Sequence, residues 1–161
     1  ESSAASDVYK RQEVINLEEI LLFFALKYDG DFQSILKALQ TKEKVSDEER
    51  REAVKEVNSK YTTIISDDYP KALKEIACPP FVLFYHGDLN ILNGKCIGVI
   101  GKRVPSEYGS SITDKIVCDL VKNEYTIVSG MALGIDTLAH RSALKNQGKT
   151  VAVLGLSLIH I

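Results

Sequence analysis

The sequence predicts an α/β fold: a parallel sheet built in βαβαβ order, preceded by a small helical domain. Three observations predict it. Apolar residues recur with helical period from Glu13 to Tyr61. From Cys96 onward, short β-rich runs alternate with amphipathic stretches, and strands starting about 25 residues apart fit right-handed crossovers. The 161 residues are 45% hydrophobic and 26% charged, an ordinary composition for a folded domain.

The helical part opens with Leu17, Ile20, Leu21 and Phe24 on one stripe, ending before Asp29-Gly30. Phe32, Ile35, Leu36 and Leu39 repeat that stripe in a shorter helix. Ser46-Asp47-Glu48-Glu49 is a capping box, in which the Ser46 hydroxyl accepts from the Glu49 amide while Glu49 reaches back. Thr62–Ser66 reads as a short strand. Asp67-Asp68-Tyr69-Pro70 reads as a turn, because Pro70 holds Tyr69 out of the helical region. Lys71–Ile76 gives a brief helix stopped by Pro79-Pro80, and Phe81–Tyr85 a second strand.

Cys96–Ile100 is a continuous apolar run, expected of a strand covered on both faces. Ser106–Asn123 is a helix with Ile112, Ile116, Val117, Leu120 and Val121 on one stripe. Tyr125–Val128, Asp136–Gln147 and Thr150–Leu154 complete the strand, helix and strand that follow. Residues 1–12 show no usable periodicity, and residues 156–161 follow the last strand without turn or charge. Both segments are read as foreign to the natural protein, which is then expected to continue further. The organisation expected is a helical domain over 13–61 and a sheet domain over 62–155.

Charge and cysteine usage narrow the function classes. Twenty basic residues face 22 acidic ones, but residues 94–161 hold 8 basic and 5 acidic, so an anion site belongs in the second part. The longest apolar run, Ile20–Leu26, falls far short of the about 20 residues that span a bilayer. Cys78, Cys96 and Cys118 are odd in number and lack Cys-x-x-Cys spacing, which argues against a disulfide framework or a four-cysteine metal site. No signal segment opens the chain, and a reduced cytoplasmic protein is expected.

In an open parallel sheet, ligands sit beyond the carboxyl ends of the strands, where helix N-termini present unpaired N–H groups. Two loops occupy that edge. Gly101-Lys102-Arg103-Val104-Pro105-Ser106 leaves the first strand; Gly101 allows a tight exit and Ser106 suits a helix cap after Pro105. Lys102 and Arg103 oppose the helix dipole, so they are either solvated loop charges or groups placed for a bound phosphate. Ser129-Gly130-Met131-Ala132-Leu133-Gly134-Ile135-Asp136 leaves the second strand. Its small residues keep the backbone accessible or allow close strand–helix packing, and Asp136 suits the next N-cap.

Other motifs fail. No Gly-x-Gly-x-x-Gly is present, because Gly98-x-x-Gly101 lacks the leading glycine. Gly148-Lys149-Thr150 imitates a P-loop end, but residue 143 is Ala and a strand follows instead of a helix. His140 stands one turn after Asp136; with no nucleophile placed by any motif, a helix-packing, hydrogen-bonding histidine is the preferred reading over an acid–base couple.

Ile97-Gly98-Val99-Ile100-Gly101-Lys102-Arg103 with Tyr108-Gly109 resembles the Val-Gly-Ser/Thr-Arg…Tyr-Gly segment of the DNA-processing protein A family (DprA, also called Smf). The stretch Ile127–Asp136, then Ala139-His140, Ala143-Leu144 and Gly148–Gly155, is similar to that family's most distinctive region. Upstream, Asp68-Tyr69-Pro70, Pro79-Pro80 and Leu83-Phe84-Tyr85 match the approach to the sheet. The likeness covers about residues 62–155 and implies a Rossmann-like domain, of which this is a part, that binds single-stranded DNA without catalysis. It further implies recruitment of the RecA recombinase onto incoming DNA in natural transformation, and a homodimer in the full-length protein. Arg103 carries over as the phosphate contact and Gly101 as the close backbone approach. Lys102 departs from the family's small hydroxyl and puts a second cation there. Amides near Gly101, Ser106, Ser129 and Gly130 are expected to line the phosphate track. The family's continuation beyond Gly155 does not match residues 156–161, so these 161 residues alone are expected to bind DNA weakly. The resemblance implies neither cofactor nor metal. Two other readings stand beside it. One is a Rossmann-like nucleotide or phosphosugar hydrolase resembling phosphoribohydrolases, whose Pro-Gly-Gly segment is missing here; the other is a nucleotide-sensing module.

Overall fold

A computed structural model describes residues 2–155, and the expectation of a foreign tail at 156–161 lies outside them. The chain forms two compact units that divide between Gly87 and Asp88.

The first unit carries helices α1 (Ser2–Lys27), α2 (Phe32–Gln40) and α3 (Asp47–Glu56), strand β1 (Lys60–Thr63), the short helix α4 (Lys71–Lys74) and strand β2 (Val82–Tyr85). Helix α1 starts well before Glu13, where the apolar stripe begins; no Gly or Pro interrupts residues 2–12, so the helix propagates through them. Phe24, Ala25, Ile35 and Ala38 form the core, with Phe81 and Val82 packed against it. The Asp31 carboxylate accepts the Ser34 amide at 2.8 Å and caps α2. The capping box at α3 is complete: Ser46 Oγ accepts from Glu49 N, and Glu49 Oε2 accepts from Ser46 N at 2.8 Å. Arg50 then ties α3 to α1 through Asn16 Oδ1 at 3.0 Å and Glu19 Oε2 at 3.3 Å. β1 and β2 pair antiparallel from Lys60↔Tyr85 to Thr63↔Val82. Strand β1 stops at Thr63 because Ser66 turns the chain, its Oγ accepting from Thr63 N at 3.0 Å. Tyr69, fully buried, donates to Pro80 O at 2.7 Å.

The second unit opens with a 3₁₀ turn over Leu89–Asn93 and continues as β3 (Cys96–Gly98), α5 (Glu107–Lys122), β4 (Thr126–Ser129), α6 (Ile135–Lys145) and β5 (Thr150–Ala152). The sheet is parallel, in the order β3-β4-β5, with Ile97 beside Ile127 and Val128 beside Val151. Consecutive order with crossovers of one hand sends both helices to the same face. There Val117, Ile127, Ala139 and Ala143 form the core, with Ile97, Val99, Leu120 and Val121 against it. The expectation that Cys96–Ile100 is covered on both faces is therefore corrected: Ile97 and Val99 are half-buried, whereas Cys96, Gly98 and Ile100 are exposed among the described residues.

Candidate functional site

The two loops that leave β3 and β4 meet at the carboxyl edge of this sheet. The first runs from Val99, whose amide bonds Val128 O at 2.9 Å, to the cap of α5. Ser106 is that cap, as expected, and its Oγ accepts from Gly109 N at 3.1 Å. Lys102 and Arg103 are exposed, and no ion pair among the described residues includes either. Two uncompensated cations thus stand before a helix N-terminus, where they repel the dipole and one another.

The second loop is pinned rather than open. Ser129 is buried, and its Oγ donates to Val99 O at 2.7 Å while its carbonyl accepts from Val153 N at 2.8 Å. Asp136 is not the N-cap of α6; that position is Gly134, at φ +86°. The Asp136 carboxylate, 7% exposed, instead accepts the Gly130 amide at 3.1 Å and folds the loop back on its own helix. Thr137 holds Ala132 O with both its amide and its hydroxyl. Met131 is left in the left-handed region at φ +59°, and the side chains of Met131 and Leu133 are both exposed.

Contact between the loops is direct. Ile135 N donates to Lys102 O at 3.1 Å. Gly134 lies so close that a Cβ there would overlap the carbonyl oxygens of Lys102 and Arg103. Gly101 is confined too, though by a side chain, since a Cβ would stand 2.7 Å from Ile135 Cγ1. The requirement for glycine at 101 is therefore steric, set by the first residue of α6, and no positive φ is involved.

The structure thus brings Gly101, Lys102, Arg103, Ser106, Ser129 and Gly130 to one sheet edge but gives them different parts. Among the described residues Lys102 and Arg103 have no ion-pair partner; Gly101 seats Ile135; the Ser106 hydroxyl is taken by Gly109; the Ser129 hydroxyl and the Gly130 amide are spent on internal bonds. Gly134 and Ile135, which join the loops, were not singled out by the sequence; a glycine directly before a helical stripe is the signal that marks them.

His140 has a structural part. Its Nδ1 lies 2.7 Å from Thr150 Oγ1, and that hydroxyl donates to Ile127 O at 2.9 Å, so the Nδ1 carries the proton. Asp136 faces Gly130, so the two side chains serve separate bonds. Among the described residues no cluster of His, Cys, Asp and Glu is arranged to hold a metal, and no helix is long and apolar enough to cross a membrane.

Comparison with known proteins shows what the chain is similar to. The chain is 46% identical over 96 residues to DNA processing protein DprA of Streptococcus pneumoniae, covering 60% of this chain and 34% of that one. Protein Smf of Synechocystis is 45% identical over 105 residues, covering 63% and 26%. This chain therefore spans between a quarter and about a third of the length of these curated relatives. Among solved structures, DNA processing protein A from S. pneumoniae superposes with a TM-score of 0.64 at 37% identity, covering 78% of this chain and 42% of that one. DNA processing protein A from Helicobacter pylori, studied for its single-stranded DNA binding mode, gives 0.54 at 34% identity, covering 65% and 46%. These likenesses carry the Rossmann-like fold, and the family model for DNA recombination-mediator protein A matches residues 60–161, a span that includes both edge loops. With more than half its length under that match, the chain belongs to the DNA recombination-mediator protein A family.

Proposed function

We propose that this chain supplies part of a surface that binds single-stranded DNA without transforming it. The carrying observation is the pair Lys102 and Arg103, two exposed cations with no carboxylate partner among the described residues, on a loop locked to its neighbour by the Ile135–Lys102 bond. The Arg103 guanidinium takes a backbone phosphate by a fork of N–H donors, and Lys102 adds a point charge. The amides of Glu107 and Tyr108, in the first turn after Ser106, have no intrahelical acceptor and are the ones that face the same anion, because the Gly109 amide is taken by Ser106 Oγ. Ser129 and Gly130 act by shaping the edge, because their own donors are engaged.

Family membership extends the proposal to the whole protein: a recombination mediator that protects incoming DNA in natural transformation, assists RecA loading and works as a homodimer. The three free thiols, two of them exposed, suit a reducing compartment, and we place the activity in the cytoplasm. The test titrates a fluorescent single-stranded oligonucleotide into the intact protein and into Arg103→Ala at several salt concentrations. Salt-dependent binding weakened by the substitution is expected. Affinity indifferent to both, or release of free base from a nucleoside monophosphate, contradicts the proposal.

A further inference from the structure

We propose that His140 is a positioning residue for the phosphate-binding cations: through Thr150 it fixes α6 against the sheet, and α6 fixes the loop that carries Lys102 and Arg103. The proposal rests on the single-stranded DNA reading above and adds to it what holds the two charges in place.

Packing alone does not explain His140. Its Nε2 is buried and finds no partner among the described residues, and a buried lone pair left so is destabilising. A leucine would fill the space without that defect. What the imidazole supplies is one directed bond, from Nδ1–H to Thr150 Oγ1 at 2.7 Å, and that hydroxyl donates in turn to Ile127 O at 2.9 Å. Ile127 of β4 and Thr150 of β5 stand opposite each other in the ladder, so the ring grips two paired strands at one point. Among the described residues no other side chain of α6 bonds to a strand. Asp136 and Thr137 reach the loop atoms Gly130 N and Ala132 O, and Ser142 reaches Asp114 on α5 at 2.7 Å.

The bond matters because the rest of the buried face of α6 is smooth. Ala139 and Ala143 are fully buried and Ser142 nearly so, and such small side chains offer few ridges to stop the helix sliding along its axis. At its N-terminus the same helix has no slack. Ile135 stands five residues before His140, about 7.5 Å along the axis. Its amide donates to Lys102 O at 3.1 Å. Gly134 lies closer to the carbonyls of Lys102 and Arg103 than a Cβ would allow. A displacement of α6 therefore moves the backbone from which both cations extend.

The test titrates a single-stranded oligonucleotide, at several salt concentrations, into the intact protein, His140→Leu, His140→Asn and Thr150→Val, each well below its own melting temperature. Asparagine presents an amide N–H near the position of Nδ1–H, whereas leucine at 140 or valine at 150 removes one partner of the bond. His140→Leu and Thr150→Val are expected to weaken binding roughly five- to tenfold and to flatten the salt dependence. His140→Asn is expected to stay within roughly twofold of the unsubstituted protein. The double variant His140→Leu/Thr150→Val should bind no worse than the weaker single one, because both changes delete the same bond. Should a variant at 140 fail to fold, Thr150→Val carries the test by the same two readings. A lowered melting temperature with affinity and salt slope unchanged in the folded variants overturns the proposal while the DNA reading stands. Equal loss in His140→Asn and His140→Leu overturns it too. Failure of the unsubstituted protein to bind the strand overturns both.

Discussion

Ile135 occupies the space a side chain at Gly101 would need: a Cβ at 101 would lie 2.7 Å from Ile135 Cγ1 and 2.9 Å from its Cβ. The exit of β3 and the start of α6 are thereby fitted to each other, and the backbone bond from Ile135 to Lys102 closes the fit. Gly101→Ala forces the β-branched Ile135 to move, and overpacking of this kind costs about 1–3 kcal/mol. Chemical denaturation measures it. Gly101→Ala combined with Ile135→Ala should recover only part of the loss, because the second change removes Cγ1 and Cγ2 but leaves the Cβ at 2.9 Å.

At Gly134 the neighbours are backbone carbonyls, which cannot change rotamer, and the φ of +86° is itself strained for any L side chain. Gly134→Ala therefore has no comparable rescue. Its expected destabilisation is at least about 3 kcal/mol, from strain and overlap together. Circular dichroism melts of both glycine variants rank them, with Gly134→Ala the worse.

Asp136 holds the second loop through one bond to Gly130 N. Asp136→Ala removes the acceptor and lets the loop open, at a cost of about 1–3 kcal/mol. Asp136→Asn keeps an acceptor oxygen and should lose less. Amide hydrogen exchange at Gly130 reads the difference directly: fast in the alanine variant, slower in the asparagine one.

Stability in acid should depend on the helical unit's carboxylates. The Ser46 amide and hydroxyl hold Glu49 below the ordinary glutamate value, and Lys27 with Tyr28 does the same for Glu43. A carboxylate lowered in the folded state stabilises the fold above its unfolded pKa and loses that contribution as pH falls through the folded one. Unfolding midpoints should therefore drop as pH passes below about 4.5. Glu49→Gln should show a shallower drop than the unsubstituted chain.

Much of this architecture is legible in the sequence, for physical reasons that differ by element. The stripe Ile112–Val121 and the cap Ser106 are local signals, and α5 follows them to within a residue at each end. The capping box at Ser46 is likewise complete in four residues. Burial of β3 was not legible, because an apolar run does not say on which side the helices will lie; the strand order decides that, and it leaves Ile100 exposed. Asp136 misled for a related reason. A short carboxylate before a helical stripe suits a cap, yet Gly134 starts the helix two residues earlier, and the carboxylate turns to Gly130 across the loop. At the candidate site, the two loops and their cations could be read from residue type and strand spacing. Which polar groups remain free depends on contacts such as Ser129 with Val99, and no spacing rule encodes those.

The central claim is that Lys102 and Arg103 meet backbone phosphate. Its most direct measurement is the slope of log affinity against log salt for single-stranded DNA, taken with the intact protein and with Lys102→Ala/Arg103→Ala. Each lost phosphate contact should flatten the slope by about 0.7, and the double variant should show a flattening of one to two such steps together with weaker binding. An unchanged slope in the double variant contradicts the account.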